Sequence, residues 1–252
     1  MQLNLNWKRA LKCWTLATLL TSFLALTPEL RAQPQHLSDA ENLVIGLLQS
    51  EQTAPAGTWP NFYGSPAVIH WDGAQSSART ECSTFLTLLL EHSYGWSSTN
   101  FWTWMGSTLP DAARYHDNIV RQNGFQRLTK VNQILPGDVL AIVYYPEYQS
   151  PSGHVMIVQD YPQPNSSKPL IQGTQQWTVP VIDCTSTYHG TNDTRYAHPG
   201  GIGHGTFRLH GAADTTVTGY TWSLLSTSVG NYVPQATSTN SGNHLVIGRL
   251  NY

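Results

Sequence analysis

A cysteine at the start of a helical segment is the residue in this sequence best placed to do chemistry. Cys82 follows Thr80, a favourable helix N-cap, and residues 81–94 carry a broad apolar face that ends at Gly95. The N–H groups and dipole at a helix N-terminus favour the thiolate, which is the nucleophilic form of cysteine, and can hold a developing oxyanion. Taken alone, such a cysteine is more often a small core residue, so the chemistry requires a partner base.

A histidine and an aspartate follow at positions from which strands could bring them to this thiol. His154 lies at the mouth of the apolar strand 155–158, where an imidazole can reach beyond the edge of the sheet. Asp183 interrupts the β-branched strand 179–184, where a charged residue in a half-buried position suggests a functional role. The alternative is that Asp183 lies at an exposed position on an edge strand. A catalytic base must reach its nucleophile and be oriented by a third group. We therefore expect Cys82 as nucleophile, with His154 as base and Asp183 as its orienting group.

Cysteine is too sparse for a disulfide framework. Cys13 lies in the N-terminal segment, which leaves only Cys82 and Cys184. These two thiols could pair in an oxidising compartment. Because side chains alternate along a strand, Cys184 should face away from Asp183 and therefore away from Cys82, so we expect both thiols to be free.

The first 32 residues have the layout of a secretory signal peptide. Basic residues precede the apolar stretch 13–26, which is too short for a comfortable membrane span, and Ala32 ends a plausible cleavage site. We expect removal of residues 1–32 and a single domain at 33–252, either secreted or held in the periplasm or cell envelope without stable membrane association. An uncleaved membrane anchor is the alternative.

The charge and composition of the chain limit its partners. The net charge is −2, and only 11% of the residues are charged. A net-acidic protein with few Lys and Arg residues is a poor candidate for binding nucleic acid or anionic membranes. The abundance of Ser, Thr, Asn, Gln and Gly is typical of a β-rich extracellular or periplasmic domain.

Helical patterns precede strand patterns along the chain. Apolar residues at helical spacing predict helices at 37–49, with Ser38 as N-cap, at 81–94 and at 110–123. Residues 53–77, rich in Gly, Pro and aromatic residues, predict a loop. The predicted strands are 125–131, 139–145, 155–158, 179–184, 206–209, 217–224 and 245–250. Helices followed by strands favour an α+β fold with an antiparallel sheet.

A Gly-rich stretch after Cys184 holds several histidines and admits a metal-site interpretation. Their spacing matches no zinc motif, so we expect neither a metal nor a cofactor. The glycines at 200–203 predict turns, and Asp138, after Pro136 and Gly137, is expected to cap backbone N–H groups rather than to act as a catalytic acid. The histidines of this stretch are His189, His198, His204 and His210.

In their order along the chain, these motifs resemble the NlpC/P60 and CHAP-type families of papain-like cysteine peptidases and amidases. The similarity covers about residues 59–187. Its motifs are Glu81-Cys82-Ser83 at the nucleophile, Leu135-Pro136-Gly137-Asp138-Val139-Leu140 at a strand entry, Gly153-His154-Val155-Met156-Ile157-Val158 at the histidine strand and Val181-Ile182-Asp183 at the third polar residue. Thr84 departs from the pattern, because these families usually carry glycine there.

The resemblance implies a papain-like NlpC/P60-type fold, in which the nucleophile helix packs on an antiparallel β-sheet. It implies a domain core at about residues 59–187 and a C-terminal β-rich extension at about residues 188–252. It also implies hydrolysis of an amide bond through a thioester on Cys82. The substrate that it implies is peptidoglycan or a related peptide.

Further binding residues follow from the same resemblance. These families often place a tyrosine before the nucleophile, and Tyr63 is the candidate here. Ser83 and Trp71 are further candidates for binding substrate or an oxyanion. The alternatives for the whole protein are a non-catalytic module that binds the cell wall or a partner, and an acyltransferase or toxin-like amidase of the same fold.

Overall fold

The computed structural model describes residues 32–146, 150–196, 198, 200–236 and 242–251. From Gln33 onwards these residues belong to one compact unit. Apart from Ala32, the predicted signal peptide lies outside the described residues. Within the described residues, no helix combines the length and the apolar character needed to cross a membrane.

All α-helices of the described chain come before residue 121. Three of them confirm predicted helices, although α1 begins before the predicted N-cap Ser38 and has Pro34 at its N-cap. The short α3 was not predicted, although Ser97 and Asn100 form a capping box at its start. The helices are α1 (Gln35–Thr53), α2 (Cys82–Tyr94), α3 (Ser98–Met105) and α4 (Ala112–Val120).

The strands make a large antiparallel sheet and a small three-stranded sheet. The small sheet has the order β1-β3-β2, and the large one has the order β11-β10-β9-β8-β6-β5-β12-β4, with β7 paired to β8. The strands are β1 (Asn61–Tyr63), β2 (Val68–His70), β3 (Ser77–Thr80), β4 (Phe125–Leu128), β5 (Val139–Val143), β6 (Gly153–Val158), β7 (Gln163–Asn165), β8 (Gln175–Thr185), β9 (Gly201–Gly211), β10 (Val217–Thr221), β11 (Tyr232–Pro234) and β12 (His244–Leu250). The α+β class with an antiparallel sheet is therefore confirmed.

The large sheet separates two apolar clusters, and strand alternation decides which side chain joins which cluster. On β6, Val155 and Ile157 pack with the buried faces of the helices, whereas Met156 and Val158 belong to the cluster on the other face. On β8, Ile182 lies on the helix side and Val181 lies opposite. By the same alternation, a residue one position before Val155 or one after Ile182 faces away from the helices.

Two predictions about loops are wrong. The segment 53–77 is not one loop, because β1 and β2 form within it and both pair with β3. The expected turn at 200–203 gives way to β9, which begins at Gly201 and pairs with β8 along its whole length. Asn61 stabilises this strand entry, because its side chain exchanges two hydrogen bonds with the backbone of Ile202, at 2.8 and 2.9 Å.

The chain after residue 188 supplies interior strands as well as edge strands. The strand β12 lies between β5 and β4 and pairs antiparallel with both. The backbone N–H and C=O groups of β5 are therefore shared between β12 on one side and β6 on the other. The strand that carries His154 is thus supported by residues from the C-terminal part of the chain.

Asp138 connects the turn before β5 to β12. Its carboxylate accepts a hydrogen bond from the Leu135 backbone N–H at 2.8 Å, as expected for a capping group. It also forms a two-pronged ion pair with the Arg249 guanidinium, with both N–O distances at 2.9 Å. The side chain of Asp138 is almost fully buried, whereas that of Arg249 is 21% exposed, so the pair is partly shielded from solvent.

We expect Asp138→Asn to lower the free energy of unfolding by about 1.5–3 kcal/mol, because the partly buried guanidinium of Arg249 loses its charged hydrogen-bond partner. Urea unfolding followed by circular dichroism measures this change. The matched control is Asp111→Asn at the N-cap of α4, where Asp111 accepts from the Arg114 N–H at 2.9 Å. Asparagine caps a helix as well as aspartate, so the control should stay within about 0.5 kcal/mol of wild type. Equal stability of the two variants would contradict the assignment.

Candidate active site

Cys82 is the first residue of α2 and follows directly on β3. The N-cap residue is Glu81 rather than the predicted Thr80, and it provides no side-chain cap. Thr80 is still a strand residue, paired with Tyr63, and its carbonyl accepts from the Cys184 thiol, so α2 begins one residue later than predicted. The start of α2 thus keeps the N–H groups that lack acceptors within the helix, and these groups favour a negative charge on Cys82.

His154 reaches Cys82 from the second position of β6. The Cys82 Sγ lies 4.0 Å from the carbonyl oxygen of Gly153, the residue before His154, and the thiol is close enough to the imidazole to affect its pKa. The Nε2 of His154 lies 2.6 Å from Asp183 Oδ2. Because Nε2 is engaged by the carboxylate, Nδ1 is the nitrogen left for the thiol. Gly153 brings this strand close to β5, because a Cβ there would overlap the carbonyl oxygen of Ile142.

The electrostatic surroundings of His154 favour its protonated form. Burial by itself lowers the pKa of His154. The charge of a Cys82 thiolate and the hydrogen bonds to Asp183 and Cys82 outweigh burial and raise the pKa to about 9. His154 is therefore held in its protonated form at neutral pH.

Asp183 lies near the C-terminal end of β8, where it is fully buried and is nevertheless held as a carboxylate. Burial alone would raise its pKa, but Arg195 and His189, together with the hydrogen bond from His154, hold the pKa well below its usual range. Arg195 donates to Asp183 Oδ1 at 2.6 Å, and His189 Nε2 lies 3.1 Å from Oδ2. Asp183 thus occupies an interior position and not the exposed edge considered as the alternative.

The loop before β9 supplies residues that the sequence analysis missed. Asp193 holds Arg195 through two hydrogen bonds, at 2.8 and 2.9 Å, and accepts the backbone N–H of His189 at 2.8 Å. From the sequence, His189 is a candidate only for metal binding, and neither Arg195 nor Asp193 stands out. Within the described residues no group of three or more His, Cys, Asp or Glu side chains is arranged to hold a metal ion.

Alternate glycines on β9 make room for this loop and were the signal available in the sequence. Gly203 lies opposite Asp183 in the β8–β9 ladder, and Gly205 lies two positions further on the same face. A Cβ on Gly205 would lie 2.5 Å from the His189 ring, and one on Gly203 would lie 3.0 Å from the Arg195 side chain. Only glycine allows these side chains to lie flat against the sheet beside Asp183.

A cleft of about 300 Å³ opens beside His154. Burial, followed by the charges of Cys82 and Glu81, raises the pKa of Tyr63 to about 12, so its hydroxyl stays protonated. The Trp222 ring packs edge-on against His154, with 4.9 Å between centroids. The residues that line the cleft include Tyr63, Tyr144, His154, Thr185, Thr187 and Trp222.

The other two binding candidates lie elsewhere. Trp71 stacks on His92 with 4.0 Å between ring centroids and lines a separate groove with Glu91. Ser83 follows Cys82 in the first turn of α2, where its carbonyl accepts from Thr87. Neither residue is among those that line the cleft beside His154.

The prediction that Cys184 lies away from Cys82 is wrong, although both thiols are free. Cys184 does face away from Asp183, but this direction leads to the helix side of the sheet, where Cys82 also packs. Its thiol donates to the Thr80 carbonyl oxygen, with an S–O distance of 3.1 Å. Burial raises the pKa of Cys184 well above its ordinary value, so this thiol remains neutral.

Comparison with known proteins gives one informative match. No family model and no solved structure matches the chain. The chain is 35% identical over 182 residues to "Uncharacterized protein R653" of Acanthamoeba polyphaga mimivirus, and the match covers 68% of this chain and 77% of the viral protein. The chain therefore belongs to the same protein family as this mimivirus protein.

Proposed function

We propose that this protein is a secreted cysteine hydrolase that cleaves an amide or peptide bond through a thioester on Cys82. The observation that supports this most strongly is the continuous contact from the Cys82 thiol through His154 to the buried carboxylate of Asp183. This contact joins a nucleophile, a base and an orienting group in the order that acyl transfer requires.

In the proposed reaction, the Cys82 thiolate attacks the carbonyl carbon of the scissile amide and forms a carbon–sulfur bond. The N–H groups at the start of α2 stabilise the oxyanion. The His154 imidazolium then donates its proton to the leaving nitrogen, the carbon–nitrogen bond breaks and an amine departs. Neutral His154 next accepts a proton from water. The water oxygen attacks the thioester, and breakage of the carbon–sulfur bond releases the acid and restores the thiolate–imidazolium pair.

The proposal extends to a papain-like fold of the NlpC/P60 type and to a peptide of the cell wall as substrate. A nucleophile helix packed on an antiparallel sheet and the order of the sequence motifs support the fold. The cleft supports a peptide, because the hydroxyls of Tyr63 and Thr187 can both donate to and accept from peptide groups. Peptidoglycan stem peptides are the first substrates to test.

Replacement of the proposed nucleophile should abolish turnover. We expect Cys82→Ala to remove hydrolysis of peptidoglycan stem peptides, measured by chromatography of the released fragments, while the unfolding transition remains cooperative. The matched control is Cys184→Ala, which removes a neutral core thiol and should keep activity. Unchanged turnover in Cys82→Ala would refute the proposed function.

Alkylation tests the enzyme against a binding module without knowledge of the substrate. At pH 6 an ordinary thiol, with a pKa of about 8.5, is almost fully protonated and reacts slowly with iodoacetamide. We expect mass spectrometry of the native protein to show rapid modification of Cys82 and none of Cys184. His154→Ala should slow the Cys82 reaction, because the thiolate loses its counter-ion. A Cys82 that resists modification in the native protein would favour the binding module.

The raised pKa of His154 sets the alkaline limit of activity. The imidazolium persists below a pKa of about 9 and is lost above it, so kcat/KM should fall as the pH rises through about 9. Asp183→Asn removes the adjacent negative charge and should move this limit to lower pH. The carboxylate accepts N–H donors on both oxygens, so an amide NH2 must oppose one of them, and we expect a rate loss of about 100-fold or more. An unmoved alkaline limit in the variant would contradict this assignment.

A further inference from the structure

The second imidazole at Asp183 is the group whose chemical state the structure defines most sharply. His189 is fully buried, and its ring stacks on Trp222 with 4.2 Å between centroids. Its Nδ1 lies 2.9 Å from the Trp222 carbonyl oxygen, and its Nε2 lies 3.1 Å from Asp183 Oδ2. The ring is therefore fixed between two oxygen atoms.

Both of these oxygens can only accept hydrogen bonds. A backbone carbonyl has no proton to give, and the Asp183 carboxylate is ionised. A neutral imidazole carries one N–H and one lone pair, so it would leave a lone pair facing an oxygen lone pair in the interior. Both nitrogens of His189 must consequently carry a proton, which makes the ring a buried imidazolium.

We propose that His189 is a positioning residue of the catalytic site: a buried imidazolium that, with Arg195, fixes the Asp183 carboxylate so that it orients His154. This inference rests on the proposed function. His189 touches neither the thiol nor the cleft; it acts through Asp183. The site is then a Cys–His–Asp–His array in which the two imidazoles share one carboxylate oxygen.

With Cys82 as the thiolate of the proposed mechanism, the charges around the array balance if His189 is a cation. The anions are Cys82, Asp183 and Asp193, and the cations are His154, His189 and Arg195. Each cation contacts an anion: His154 contacts Cys82 and Asp183, His189 contacts Asp183, and Arg195 contacts Asp183 and Asp193. Opposite charges thus alternate through the interior, with no net charge left in it. A neutral His189 would leave one buried negative charge without compensation, which is costly in an apolar interior.

The imidazolium also affects the proton that His154 holds. Two cations beside Asp183 partly offset the pull of the carboxylate on the His154 proton. Removal of one cation should therefore raise the pKa of His154, whereas removal of the carboxylate should lower it. The charged and titratable groups that face His154 are Cys82 from α2, Asp183 from β8, and Tyr63 and Tyr144 across the cleft; those that face His189 are Asp183, Asp193 and Arg195.

Nitrogen NMR of the full-length protein labelled with ¹⁵N-histidine observes the ring state directly. We expect two rings at pH 8, those of His154 and His189, to show two protonated nitrogens each, and one of these two sets of signals to be lost in His189→Gln. The Cys82→Ala protein, in which His154 has no thiolate partner, should keep the set of signals that His189→Gln loses. A neutral His189 ring at this pH would overturn the inference, whether or not the protein is a hydrolase.

Kinetics of His189→Gln test the positioning role. We expect kcat on the cell-wall peptide to fall by about tenfold or more with KM nearly unchanged, as for loss of an outer hydrogen-bond partner. The alkaline limit, read from activity and from the iodoacetamide rate at Cys82, should move to higher pH. A substitution that only disordered the site would lower activity without moving the alkaline limit to higher pH.

The matched control is His204→Gln on β9. His204 also pairs with a carboxylate, Glu41 at 3.0 Å, but it faces the helix side of the sheet, away from Asp183. The control should keep the wild-type pH limit and kcat. If His189→Gln keeps the wild-type pH limit and kcat, as His204→Gln should, the positioning role is refuted, while the reactivity of Cys82 still supports the hydrolase.

A wild-type Cys82 that does not react with iodoacetamide would instead refute the proposed function. The NMR result would then decide the protonation state of His189 by itself.

Discussion

The burial of one carboxylate is the constraint on which the proposed active site depends. An ionised Asp183 in the interior costs several kcal/mol of desolvation unless N–H donors surround it. The structure meets this requirement with donors from three sources: His154 on β6, and His189 and Arg195 on the loop before β9. Removal of any donor leaves a buried charge less well compensated, so stability and catalytic geometry are coupled here.

The pairing register of β8 with β9 and the path of the loop before β9 both bring N–H donors to the buried Asp183 carboxylate. The β8–β9 ladder sets glycines beside Asp183 where larger side chains would exclude the loop. Trp222, just after β10, covers the two imidazoles beside Asp183. Its ring contacts both His154 and His189, and its carbonyl oxygen accepts a hydrogen bond from His189. The C-terminal part of the chain therefore supplies part of the wall of the proposed active site, in addition to completing the sheet.

Local patterns were enough to predict the central elements. An apolar run with a closing glycine predicts α2, and continuous β-branched runs predict the strands that carry His154 and Asp183. The convergence of the three side chains followed from their order along the chain and from the family resemblance. Alternation correctly placed Asp183 and Cys184 on opposite faces, but it does not say which face a helix covers, and so the position of Cys184 relative to Cys82 was predicted wrongly.

The features of the site that could not be predicted from the sequence depend on tertiary contacts. His189, Asp193 and Arg195 lie in a segment without periodicity, and their role arises only when the loop folds back over the sheet. The start of α2 was misassigned by one residue because Thr80 is held in a small sheet formed by a segment that looked like a loop. The alternate glycines of β9 were visible, but their meaning depends on the strand that pairs with them.

The most direct test of the central claim is to trap the covalent intermediate. The protein is mixed with peptidoglycan stem peptide, quenched in acid within one turnover and analysed by peptide mass spectrometry. The account predicts an acyl group on Cys82, attached as a thioester that hydroxylamine removes, and none on Cys184. Turnover without an adduct on Cys82, or an adduct on another residue, would contradict it.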